Sequence, residues 1–187
     1  MKKPILRILL GVVGVIGVFF GVRQMISGFH EISGTTIPQK IGESVTLSSH
    51  GCALRVPQGW EKKDGDNGGT VFSAPKSSGY AVNLLIMSEA FAGSLRNYAD
   101  VSVRALKDMV PDAEVKTDVP FARNSGAPGL KIGLRRRIKE LDLIQGFYVF
   151  DGKPGHKIAI TTSAPAKQSA EIEPLLEDCL KSLTVPP

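Results

Sequence analysis

Apolar and polar residues alternate along this chain with strand and helix periods, and one stretch carries no polar position at all. Residues 8–22 read ILLGVVGVIGVFFGV, with no charged or polar side chain. Lys2, Lys3 and Arg7 precede the stretch and Arg23 follows it. A helix of this length rises about 22 Å, against a hydrocarbon core of about 30 Å. Ile5, Leu6, Met25 and Ile26 extend the run, and the stems of Arg7 and Arg23 can snorkel. The pattern predicts one N-terminal transmembrane helix, a membrane anchor within residues 1–28. A cleaved signal peptide is the competing reading, but Phe19/Gly21, Met25/Ser27 and Ile26/Gly28 are poor small-residue pairs for cleavage. The cation excess ahead of the segment puts the N-terminus in the cytoplasm and everything after residue 28 outside it. The expected location is a single pass through an inner (cytoplasmic) membrane, with the domain extracytoplasmic.

Residues 29–44 mix Gly, Ser, Thr, Pro and Gln without periodicity and read as a linker. Residues 45–187 then read as one domain. Strands are expected at 45–48, 52–56, 70–73, 80–87, 113–119, 129–138, 143–150 and 157–162. Charged, glycine-rich 61–69 and the DGKPG run at 151–155 read as turns or loops. The stretches YAVNLLIM and LIQGFYVF are apolar on both parities, so those strands need cover on both faces. Ser94 can cap a helix to about Val110, with Leu95, Tyr98, Ala99, Ser102, Leu106 and Met109 as its stripe. A second helix spans about 169–183, with Ile172, Leu175, Leu176, Cys179 and Leu183 on one face. Pro174 either bends this helix or marks its start. Hairpin-connected strands covered on both faces predict an α+β fold: a mainly antiparallel sheet flanked by helices, a helix–sheet–helix sandwich.

The net charge of +5 points toward nucleic acid only until it is divided along the chain. Four of the 23 Lys/Arg and none of the 18 Asp/Glu lie in residues 1–28, which leaves 19 against 18 beyond them. The excess is membrane topology, so no nucleic-acid partner is expected. His30, His50 and His156 are far apart, with no HxH or HExxH spacing, and no metal site follows. There is no GxSxG elbow, P-loop or dinucleotide-binding glycine pattern. No catalytic residue and no cofactor is therefore assigned.

Arg135, Arg136, Arg137 and Lys139 form the one charge cluster. It reads either as a contact for an anionic partner or as a solvated hairpin end beside Glu140 and Asp142. Arg136 shares parity with Leu134 and Ile138, which favours packing of its stem. Trp60 is expected to cap the core. Cys52 and Cys179, both in the domain placed outside the cytoplasm, form a candidate disulfide or fill two small buried sites. Gly17 and Gly21 form a GxxxG pair, read as a weak homodimer contact or as ordinary membrane-helix glycine.

Several local runs recur in one order: Leu54-Arg55-Val56-Pro57-Gln58-Gly59-Trp60; the break Ala74-Pro75-Lys76-Ser77-Ser78-Gly79; a helix containing Leu95 and Tyr98; the turn Gly126-Ala127-Pro128-Gly129; and the ending Cys179-Leu180-Lys181-Ser182-Leu183. Over about residues 50–184 this order resembles PsbP-like and Mog-type domains, including bacterial DcrB-like proteins. The resemblance implies an antiparallel sheet flanked by helices and an accessory or binding role rather than catalysis. Several extracytoplasmic relatives are lipoproteins, whereas no lipidation cysteine follows residues 8–22 here. The functional expectation is a non-catalytic accessory or binding module, anchored in a bacterial envelope membrane and facing an envelope protein partner. The alternative is a small-ligand carrier or an enzyme with its site on the sheet, or a secreted domain after signal-peptide cleavage.

Overall fold

Hairpins and one helical crossover account for the order of strands in the computed structural model, which describes residues 40–66, 68–75 and 80–186. The expected anchor, Gly17, Gly21, His30 and most of the linker lie outside the described residues. The strands are β1 (Ile41–Leu47), β2 (Cys52–Pro57), β3 (Glu61–Asp64), β4 (Thr70–Ser73), β5 (Asn83–Ala90), β6 (Glu114–Ala122), β7 (Pro128–Ile138), β8 (Leu141–Asp151) and β9 (His156–Pro165). The helices are α1 (Leu95–Met109) and α2 (Ser169–Lys181). β1 and β2 pair on their own, and the other strands form a seven-stranded sheet in the order β3-β4-β5-β9-β8-β7-β6. Each pairing is antiparallel. The β3–β5 meander meets the β6–β9 meander where β5 pairs with β9, and α1 carries the chain from β5 to the far edge.

Parity divides the core. Leu84 and Ile86 of β5 join Tyr148 and Phe150 of β8 in one apolar cluster, beneath Ile172, Leu176 and Leu180 of α2. Leu54 and Val56 of β2 extend that cover. Leu85 and Met87 turn the other way, with Phe147 and Val149, under Tyr98, Ala99 and Leu106 of α1. The two-sided apolar strands thus obtain the two covers they require. The observed architecture is an α+β sheet between two helices, with the β1–β2 hairpin added to the α2 layer.

Local chemistry fixes the elements. Ser94 Oγ accepts a 3.1 Å hydrogen bond from Asn97 N and caps α1. Trp60 N donates to Pro57 O, and Gly59 between them has φ 80°, the glycine position of a type II turn. This turn folds Trp60 into the core at 9% exposure, as expected from the sequence. Pro174 lies inside α2, so the helix starts before it and lacks one internal hydrogen bond there. After α2 the chain runs back along β2, where Ala53 and Thr184 exchange hydrogen bonds of 2.9 and 2.8 Å.

Several boundaries differ from the sequence reading: the strand expected at 80–87 is Asn83–Ala90, and those expected at 113–119 and 157–162 run on to Ala122 and Pro165. β1 begins at Ile41, inside the expected 29–44 linker. Glu61–Asp64, expected as loop, is an exposed edge strand paired with β4. No helix among the described residues is long and apolar enough to cross a membrane.

Candidate functional site: a buried arginine at the end of a polar row

A row of polar side chains crosses the α1 face of the sheet. Asn83 of β5 pairs in register with Ser163 of β9, which pairs with Gln145 of β8. They share parity with Leu85, Phe147 and Ala159, so they face the α1 side. Tyr80 Oη donates to Ser163 Oγ at 2.6 Å and accepts from Asn83 Nδ2 at 3.1 Å. Gln145 Nε2 lies 3.3 Å from Ser163 Oγ, while Gln145 Oε1 has no partner. All four residues are buried, and burial pushes the Tyr80 phenol above its usual range. Tyr80 therefore stays a donor at neutral pH.

Arg136 stands at the end of this row. It follows Leu134, the partner of Gln145, on the same face of β7. Only 7% of it is exposed, and its Nε is buried without a hydrogen-bond partner. Among the described residues no carboxylate reaches it at ion-pair distance. Burial pulls the guanidinium below its ordinary range, and the nearby Tyr80 and Asp112 oppose that shift.

Arg136 lines an open cleft of about 350 Å³ with Asp112, Glu114, Arg135, Arg137 and Asp142. Arg135 Nη2 is 3.0 Å from Asp142 Oδ2, and Arg137 Nη2 is 3.8 Å from Glu140 Oε2. Glu114 is held by the ammonium of Lys116, mainly through a hydrogen bond that lowers its pKa. Of the expected cluster, the structure brings Arg135, Arg136 and Arg137 to one cleft. Lys139 instead makes the β7–β8 turn, with φ 53°. Sequence parity had marked the burial of Arg136. The polar row behind it was missed, although Asn83 and Gln145 stand as isolated polar residues in otherwise apolar strands.

A second polar chain pins the first hairpin to the sheet. Thr70 Oγ1 donates to Asp64 Oδ1 at 2.6 Å, and His50 Nε2 lies 3.0 Å from the same hydroxyl. Thr70 has one proton and gives it to Asp64, so His50 must be the donor through Nε2. Burial pulls His50 below its usual pKa, against the opposing field of Asp64. This chain lacks an accessible nucleophile, since Thr70 is buried. Among the described residues no group of three or more His, Cys, Asp or Glu could hold a metal ion.

No protein-family model matches this sequence, and no curated protein does. Solved structures do. The cyanobacterial PsbP (CyanoP) of Synechocystis sp. PCC 6803 aligns over 84% of this chain and 99% of its own, with TM-score 0.59 and 16% identity. The Saccharomyces cerevisiae Ran-binding protein Mog1p aligns over 78% of this chain and 96% of its own, with TM-score 0.58 and 11% identity. The chain has the PsbP/Mog-type fold. PA94 of Pseudomonas aeruginosa, a protein of unknown function, shares it with TM-score 0.56 and 14% identity, over 78% of this chain and 97% of its own. Identities this low carry the fold and not an activity.

Within the PsbP/Mog-type fold Cys52 and Cys179 are free, buried thiols. They sit in different surroundings: the charge near Cys52 is Arg123, and those near Cys179 are Asp178 and Arg55. Burial pushes the Cys52 thiol up to about 11 and Cys179 up to about 12. Both are protonated at neutral pH and behave as small apolar side chains.

Proposed function

We propose that this protein is a non-catalytic accessory or binding module, tethered by its N-terminal segment to a bacterial envelope membrane with its domain outside the cytoplasm. The observation that carries the reading is the Arg136 cleft. It offers a buried recognition group with a charged rim, and among the described residues neither a nucleophile with an adjacent base nor a metal-binding cluster accompanies it. One fold neighbour agrees in kind: Mog1p is a Ran-binding protein. The uncharged residues 8–22 and their flanking cations support the tether.

Crosslinking of the full chain in intact cells, followed by identification of the adducts by mass spectrometry, tests this. A discrete adduct with an envelope protein is expected. A turnover activity of the purified protein, lost on replacing one polar residue of the sheet, would contradict the non-catalytic reading.

A further inference from the structure

A guanidinium taken out of water is costly unless acceptors replace its hydration. Arg136 has no such acceptor among the described residues, and its Nε is sealed from solvent without one. Its two neighbours in the cleft show what the surface accepts: Arg135 holds the carboxylate of Asp142, and Arg137 that of Glu140. Of the three arginines, Arg136 alone has no carboxylate at ion-pair distance among the described residues, the field of Asp112 reaching it only from farther off.

Charge decides the class of ligand. Three cations and three carboxylates line the cleft, so there is no net positive field to hold a dianion. What remains is one planar fork of donors, which a single carboxylate fits bidentately. Shape decides the source. Pockets for small molecules enclose most of the ligand, and this cleft is open. A buried arginine inside a polar rim is instead the anatomy of a protein interface, where arginine is often the anchor. We propose that the Arg136 cleft receives the carboxylate of an acidic side chain presented by a protein partner. This rests on the accessory-module reading above, but partner crosslinking through other surfaces does not depend on Arg136, so the two can fail separately.

The test uses the full chain with ¹⁵N-labelled arginine, the Arg136 Nε–H resonance being the one lost in Arg136→Lys. Acetate, inorganic phosphate, chloride and a terminally blocked tripeptide with a central glutamate are titrated at constant ionic strength. Acetate and the tripeptide should shift the resonance saturably, with half-saturation on the order of 1–10 mM and the tripeptide no weaker than acetate. Chloride should not saturate it. Arg136→Met, followed by thermal unfolding, should be at least as stable as the parent in chloride buffer, because it removes an unpaired buried charge. Saturation by phosphate below acetate would overturn the carboxylate assignment. Binding of acetate with exclusion of the tripeptide would overturn the protein source. No saturable response, or a marked loss of stability in Arg136→Met, would overturn the site itself.

Discussion

His50 and Glu89 set opposite pH dependences at single positions. Burial holds His50 below the ordinary histidine value of 6.5, so the unfolded chain takes up a proton first as pH falls. Its contribution to stability is complete above pH 6.5 and is lost from there down through its folded pKa. Glu89 Oε2 accepts a 2.7 Å bond from Tyr98 Oη, and burial pushes its pKa above 4.5. Its contribution is complete below pH 4.5 and is lost as pH rises through the raised value. Chemical denaturation across pH should show His50→Asn flattening the first slope and Glu89→Gln flattening the second. An unchanged slope in His50→Asn would contradict the buried donor role. Gly59→Ala places a Cβ at φ 80° and should cost about 1–2 kcal/mol by urea unfolding. These effects were only partly legible in the sequence. The Pro57-Gln58-Gly59-Trp60 turn was readable because its chemistry is local. The His50–Thr70–Asp64 chain was not, because it joins residues that only the strand register brings together.

Elements with a strong local period were read closely. The helix after Ser94 came out within a residue at each end, since its cap, its stripe and Pro111 all mark it. Ser94→Ala should cost roughly 1 kcal/mol, measured by thermal or urea unfolding. Leu176→Ala, beneath α2, should cost about 2–5 kcal/mol, because the cavity lies in the shared cluster with Leu84 and Phe150. β3 was missed for a physical reason: the EKKD run is an edge strand exposed along its whole length, so no buried parity marks it. β1 was shortened for a similar reason, its first six residues being exposed or half-buried. The cysteines were legible as buried and not as unbridged, because sequence alone does not orient a strand against a helix. Alkylation of the denatured, unreduced protein should label both Cys52 and Cys179; protection of both until reductant is added would contradict the free thiols.

At the scale of the whole molecule, hairpin order and two-sided strands specified a sheet between two helices. The placement of β6 at the far edge, reached through α1, needed the structure, since no pattern in 114–122 names its neighbour. The arginine cluster was visible as charge, but its division into two held arginines and one stranded arginine depends on which face of β7 each residue takes. Protease added to cells with a permeabilised outer membrane should remove the domain; protection under those conditions would contradict the proposed orientation. The central claim is that this module meets its partner at the Arg136 cleft. Its most direct test is a photocrosslinking scan in intact cells, with a photoreactive residue placed in turn at Glu114, Arg137 and Asp142 around the cleft and at Lys63 and Lys107 elsewhere. The account predicts one shared adduct from the first three positions and none from the other two. Adducts from Lys63 or Lys107 alone, with the cleft positions silent, would contradict it.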